Sequence, residues 1–209
     1  MANCRIDMHT HYFPSAPVEA FERRNIPPRI CTEDGTRLLT YGPGITYRLG
    51  YAASSLETKL AAMDELGISL SILGVNVPGL DWLDAAEAPA VARAVYDELA
   101  ELTRANPDRF AAVAALPMQV PHAAEEELRR STEIGLRGAM IYSNVVGAPV
   151  DDAALRPVFA AAEEVDVPIV LHPTYPLSAA SLGGDPLITT VGFLFDTTTC
   201  ALRLILDGV

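Results

Sequence analysis

Asp7-Met8-His9-Thr10-His11 sets two imidazoles one residue apart near the start of the chain. In an extended strand, side chains two apart share a face, so His9 and His11 converge where Tyr12-Phe13-Pro14 breaks away. Two neutral imidazole nitrogens about 2.0–2.1 Å from one Zn²⁺ are a standard part of a catalytic site that keeps a position open for water. Alone, the H-x-H spacing equally describes two polar histidines at a strand end. His172 closes a separate apolar run, Ile169-Val170-Leu171-His172-Pro173, and so also emerges at a strand end. Strand ends on one face of a parallel barrel meet in space however far apart they lie in sequence, which makes His9, His11 and His172 a candidate ligand set. Asp7 has the parity of both early histidines. It is placed either to orient an imidazole from behind or to bond backbone. His122, at the head of a Glu-rich helix, reads as a solvated side chain.

The elements that must position these groups follow a repeating pattern. Short apolar runs, Cys4–His9, Ile68–Val75, Phe110–Leu116, Gly138–Tyr142 and Val167–His172, alternate with amphipathic stretches rich in Ala, Leu and Glu. The stretches are Leu56–Leu66, Ala88–Ala105, Ala123–Ile134 and Asp152–Val165, and Thr190–Leu206 reads as one more helix. Apolar residues at three- and four-residue spacing make these helices, and continuous apolar runs between them make buried parallel strands. Ser54 or Ser55 starts the first helix, Gly67 and Gly135 stop helices, and Asn106-Pro107 ends another. The strand-helix unit predicts an α/β protein, either a (β/α) barrel or an open doubly wound sheet. No G-x-G-x-x-G follows the first strand, so a dinucleotide fold loses its main support. Residues 12–55 break the rhythm: rich in Pro and Gly, they place Ile30–Glu33 and Arg37–Tyr41 around Asp34-Gly35, the pattern of a β-hairpin. Over the C-terminal face of a barrel such an insertion forms part of a lid.

The 209 residues are enough for one sizeable core, and half are of hydrophobic type. A net charge of -12 with no local Lys/Arg cluster argues against nucleic acid as a partner. Cys4, Cys31 and Cys200 are odd in number and widely spaced, which fits reduced thiols and a cytoplasmic compartment. The first twenty residues hold charges and two histidines rather than a leader's apolar run, and no uninterrupted apolar run reaches the roughly 18 residues of a membrane span.

Several segments together resemble the second amidohydrolase family, the branch of the amidohydrolase superfamily that includes aminocarboxymuconate-semialdehyde decarboxylase. They are Arg5–Pro14, Met63-Asp64-Glu65-Leu66-Gly67-Ile68, Pro107-Asp108-Arg109-Phe110 running into Ala115–Gln119, Gly135-Leu136-Arg137-Gly138 with Ser143-Asn144-Val145, and Leu171-His172-Pro173. The resemblance implies a TIM (β/α)8-type metal-dependent hydrolase barrel, here about its first five βα units, as a single partial domain over 1–209 with a small β-hairpin lid at 12–55. It implies one divalent ion, Zn²⁺ by expectation, held by His9, His11 and His172. The family's remaining ligand, an Asp ending strand eight, and its acid-base His after strand six have no counterpart here, so the resemblance implies the N-terminal part of a longer enzyme or a truncated product.

The implied activity is decarboxylation of an unsaturated or aromatic carboxylic acid, with little turnover by these residues alone. A metal-dependent hydrolase of a C–N or C–O bond is the alternative, and a non-catalytic binding module is another. A binuclear site is disfavoured, because Met140–Asn144 at the end of strand four holds no bridging Lys. Arg48 lies near the family's carboxylate-clamping Arg, and Asn76 and Trp82 are further substrate-contact candidates, with Tyr12, Phe13 and Tyr47 as candidate pocket walls. The expected partners are a small carboxylic acid and a second copy of the chain in a homodimer.

Overall fold

The computed structural model describes residues 4–42, 45–50 and 55–209. Its strands are β1 (Ile6–Tyr12), β2 (Arg29–Glu33), β3 (Thr36–Gly42), β4 (Ile45–Arg48), β5 (Leu70–Val75), β6 (Phe110–Ala112), β7 (Ala114–Ala115), β8 (Ala139–Tyr142) and β9 (Ile169–His172). The main helices are α1 (Ser15–Glu22), α2 (Leu56–Leu66), α3 (Ala88–Ala105), α4 (Pro121–Glu133), α5 (Arg156–Glu164) and α6 (Phe193–Leu206).

All pairings outside the insertion are parallel, in the order β1-β5-β6 and β7-β8-β9. β6 and β7 are one run interrupted at Val113. The Val113 N–H donates to Leu73 O at 3.0 Å, and the next N–H, of Ala114, donates to Gly138 O at 2.9 Å. The run thereby passes its pairing from β5 to β8 and joins the two ladders into one arc of parallel staves, with helices between successive staves. This is a TIM-barrel-like α/β arrangement. Side chains alternate across the arc as the period-2 pleat requires. Ala139 and Ile141 of β8 pack in the large core with the helices, and Met140 and Tyr142 join Val113, Tyr41 and Ile45 in a second core inside the arc.

The apolar runs and helices of the sequence thus appear in order. α2 starts at Ser55, whose Oγ accepts the Thr58 N–H at 3.3 Å, and stops at Gly67 in the left-handed region. Ser54, the other expected start, lies outside the described residues. Ion pairs lace the helical layer: Arg93 to Glu127, Arg130 to Asp97, and Arg129 to Glu164 at 2.8 Å.

Two expectations are corrected. β1 runs to Tyr12 rather than ending at His9, because its pairing with β5 continues from Thr10 through Tyr12 after a one-residue bulge between Asp7 and Thr10. The insertion is more than a hairpin. β2 and β3 pair around Asp34-Gly35, both at positive φ as a tight two-residue turn demands, and β4 adds a third antiparallel strand. It also holds helix α1, whose Pro17, Val18, Ala20 and Phe21 are buried.

The structure further shows a helical stretch, Ile188–Leu206, apolar and long enough to cross a bilayer by length and composition. The expected runs of uninterrupted apolar residues missed it because Asp196, Arg203 and several threonines punctuate it. Only 22% of its window is buried, and Leu194, Phe195, Leu202, Ile205 and Leu206 are exposed along it. β1 and β9 each pair on one side among the described residues, leaving ladder donors and acceptors on the other. These apolar and edge surfaces predict concentration-dependent self-association. Sedimentation of the double variant Leu202→Glu/Ile205→Glu should shift toward monomer relative to the parent protein. A parent protein that stays monomeric at all concentrations would contradict this.

Candidate metal centre

β1 and β9 lie at opposite ends of the arc, and their C-terminal ends face each other across its mouth. His9 and His11 project from β1, and His172 is the last residue of β9. The ring centroids lie 4.7 Å apart for His9 and His11, and 5.0 Å for each of these with His172. One nitrogen from each ring falls within 4.8 Å of the other two. His9 Nε2 and His11 Nε2 are 3.0 Å apart. Two nitrogens bound to one ion at about 2.1 Å, with an angle between about 90° and 110°, are separated by roughly 3.0–3.4 Å, so this pair has a metal-chelating spacing.

Electrostatics favours the same state. Burial, with His172 and His9 nearby, pushes the His11 pKa down to about 4. Burial also brings His172 down to about 4, against the opposing pull of the Pro173 carbonyl. Both rings are therefore neutral lone-pair donors near pH 7. The His172 Nδ1 lies 2.6 Å from Pro173 O. A carbonyl only accepts, so Nδ1 carries the proton and Nε2 keeps its lone pair for a ligand. His11 Nδ1, the ring nitrogen turned away from His9, is buried with no hydrogen-bond partner among the described residues, which leaves Nε2 as the nitrogen facing the other two rings. The donor set thus fits a divalent transition ion.

Asp7 takes the backbone-bonding alternative. Its Oδ1 accepts the His9 N–H at 3.0 Å and its Oδ2 accepts the Thr10 hydroxyl. The bulge breaks the parity that would have aimed it at an imidazole. The Thr10 hydroxyl first, and the His9 N–H with it, hold the Asp7 carboxyl below the usual carboxylate range. The carboxylate therefore stabilises the bulge that presents His9.

A cleft of about 360 Å³ opens over the histidines, walled by Tyr47, Asn76, Val77, Pro173, Thr189 and Phe193. Of the expected contact residues, Asn76 is on this wall, with its Oδ1 accepting the Val77 N–H at 2.8 Å. Arg48 is not. Alternation along β4 turns Tyr47 to the cleft and leaves Arg48 exposed. Trp82 packs edge-on to Tyr41 at 6.2 Å instead of lining the cleft. Tyr12 has the opposite parity to His11, so its hydroxyl reaches outward to Glu98 at 2.8 Å, and Phe13 lines a neighbouring cavity. His122 is exposed beside Glu126 on α4, as expected. The sequence reading missed Thr189 and Phe193, which sit where the last helical segment turns over the site. The signal available was the apolar and Thr run that begins at Leu187, after the Gly183-Gly184-Asp185-Pro186 break.

Two buried supports hold the neighbouring loops. Gly79, at φ +76°, lies so close to the Tyr142 ring that any Cβ would overlap it. Tyr142 in turn stands edge-on to His172 at 5.7 Å. Asp81 is buried, and one of its oxygens accepts the Met118 N–H at 3.0 Å, while Gln119 Nε2 donates to Leu80 O at 2.8 Å. The loops after β5 and β7 are thus clamped together.

The sequence profile of the Amidohydrolase family matches residues 6–209. The chain belongs to this family. It is similar to a gamma-resorcylate decarboxylase of Rhodococcus jostii, 39% identical over 168 residues that cover 73% of this chain and 51% of that protein. Among solved structures, it resembles 2,6-dihydroxybenzoate decarboxylase from Rhizobium with TM-score 0.76 and 28% identity, covering 98% of this chain and 62% of that one. The apo IDCase of Metarhizium anisopliae shares the fold with TM-score 0.88 at 24% identity, over 99% of this chain and 62% of that chain. So does a manganese-bound 5-carboxyvanillate decarboxylase of Novosphingobium aromaticivorans, with TM-score 0.77 at 24% identity over 98% and 61% of the two chains. The chain spans about half the length of the curated relatives it matches.

Burial raises the Asp81 pKa from 3.8 to about 7. The folded state therefore keeps this proton longer than the unfolded chain, and stability from this group is greatest below about pH 4 and declines as pH rises toward 7. Asp81→Asn retains an acceptor for Met118 and should flatten that decline, which is a few kcal/mol at most. Urea unfolding of both proteins at pH 5 and pH 8 checks it, and parallel pH profiles would refute it.

Proposed function

We propose that this chain is the metal-holding part of a decarboxylase for an aromatic or unsaturated carboxylic acid, with His9, His11 and His172 as ligands to one divalent ion. The observation that carries the reading is the convergence of three imidazoles beneath an aromatic-walled cleft, in a chain whose relatives are named as decarboxylases of such acids. Zn²⁺ is the ion the imidazole-rich donor set favours. The manganese of the 5-carboxyvanillate enzyme keeps Mn²⁺ as the other candidate. The ion, when bound, supplies a Lewis acid for a substrate oxygen or for water.

The chain's own residues bind and orient. Phe193, Val77 and Pro173 offer apolar surface to a planar ring, and Tyr47 reaches over it from the small sheet. Asn76 spends its carbonyl oxygen on the Val77 N–H, which leaves its amide hydrogens as donors for a carboxylate or phenol oxygen. The small sheet acts as the lid. It is tied down where the Tyr41 hydroxyl accepts the Tyr175 N–H at 2.8 Å and bonds the Thr174 hydroxyl. The reaction replaces the substrate carboxylate by a proton on the same carbon and releases carbon dioxide.

Calorimetric titration with Zn²⁺ or Mn²⁺ should give one ion per chain. His11→Ala should weaken it by at least about a hundredfold with unchanged helicity, whereas His122→Ala should alter neither. Absence of binding by the parent protein, or undiminished binding by His11→Ala, would remove the metal from the reading.

The substrate class has its own check. The metal-loaded protein should bind 2,6-dihydroxybenzoate more tightly than the matching benzamide. Any turnover of carboxyl-¹³C acid should appear as labelled carbon dioxide and vanish in His11→Ala. Hydrolysis of the amide without carbon dioxide release would instead establish the hydrolase alternative.

A further inference from the structure

A buried polar network lies directly behind the metal centre and outside the ligand set. Ser143 and Asn144 follow β8, Asp196 is in the first turn of α6, and all three are buried. Asp196 Oδ2 accepts the Ser143 hydroxyl and, at 2.9 Å, the Asn144 amide; its Oδ1 accepts the Leu177 N–H at 3.0 Å. Asn144 Nδ2 also donates to Tyr175 O at 2.9 Å, and the Thr174 N–H donates to Ser143 Oγ at 3.3 Å. Three backbone points of the turn after β9, at Thr174, Tyr175 and Leu177, therefore hang on one carboxylate, directly or through one side chain. The turn begins at Pro173, whose carbonyl sets the proton position on His172. Asp196 also anchors the helical segment that brings Thr189 and Phe193 to the cleft.

We propose that Asp196 is the positioning residue of this site, gripping the 173–177 turn so that the Pro173 carbonyl holds His172 with Nδ1 protonated and Nε2 free for a metal. The consequence for metal binding rests on the metal reading above; the consequence for the His172 tautomer does not. A carboxylate suits the role because every group facing it is a donor: a hydroxyl, an amide and a backbone N–H. It can accept from all of them at once. An amide in its place has one oxygen and one NH₂ group, so whichever way it is turned its N–H groups confront another donor. The turn then loses at least one of its three holds.

The test uses ¹⁵N-histidine NMR of the metal-free full chain together with Co²⁺ titration followed by visible absorption. In the parent protein His172 should show the Nδ1–H tautomer with a slowly exchanging downfield proton. Asp196→Asn should lose that proton, mix the tautomers and bind Co²⁺ about 10–100-fold more weakly. Leu128→Ala, in the helical core away from the network, should lower the melting temperature while leaving tautomer and Co²⁺ affinity in place. If Asp196→Asn does not fold, Ser143→Ala reports the same changes to a smaller degree, and Ser143→Thr, which keeps the hydroxyl, restores the parent behaviour. An unaltered His172 tautomer and Co²⁺ affinity in Asp196→Asn, with only a lower melting temperature, would overturn the proposal. Loss of the tautomer in Asp196→Asn, with no Co²⁺ bound by the parent protein, would uphold the positioning role and refute the metal reading.

Discussion

Ligand nitrogens from three imidazoles gather within 4.8 Å of one another, and the buried ones must stay uncharged there, because like charges at that range repel strongly in a half-buried setting. Burial at the mouth of the arc meets this condition, bringing His11 and His172 down to about 4. Everything else around the mouth maintains it. The Pro173 carbonyl fixes which nitrogen of His172 is free, and Val77, Pro173 and Phe193 line the cleft over the rings.

The histidines come from opposite ends of a parallel arc, so their separation depends on how the arc curves. Curvature is set in the middle. At Val113 the central stave exchanges one neighbour for the other between adjacent residues, and close-packed side chains such as Met140 fill the inside of the bend against Gly74. A bulge in β1, held by the Asp7 carboxylate, then adjusts the last part of that strand so that His9 and His11 face the mouth. Local geometry and long-range curvature converge on one point.

The inserted sheet and α6 close around this point from two directions. Tyr41 reaches from β3 to the turn after β9, and Asp196 reaches the same turn from α6. α6 leaves several apolar residues exposed and is held at its first turn by the Asp196 network, with Arg203 to Asp151 further along. The carboxylate network thus ties the end of the helix nearest the cleft to the turn after β9.

Much of this was legible in the sequence. Periodicity alone marked the staves and their order, since a run such as Ala139–Tyr142 must be apolar on both sides to pass between a helical layer and an inner core. The H-x-H spacing and the strand-ending His172 identified the metal-binding candidates for a similar reason: strand parity and strand ends are local properties. Features that depend on how distant segments meet were not legible. Asp7 stayed open between orienting an imidazole and bonding backbone, because the bulge that decides for the backbone is invisible in the residue pattern. Tyr47, expected as a pocket wall, lines the cleft while Arg48 does not, because the face of β4 that meets the cleft is decided by how the small sheet docks. Asp196 was hidden in an apolar helix because its partners, Ser143, Asn144 and Leu177, come from other elements. The sequence by itself determined which side chains have the chemistry to bind a metal, and only the tertiary structure decided which buried carboxylate holds them in place, because hydrogen bonds across fifty residues of chain are set by packing and not by local spacing.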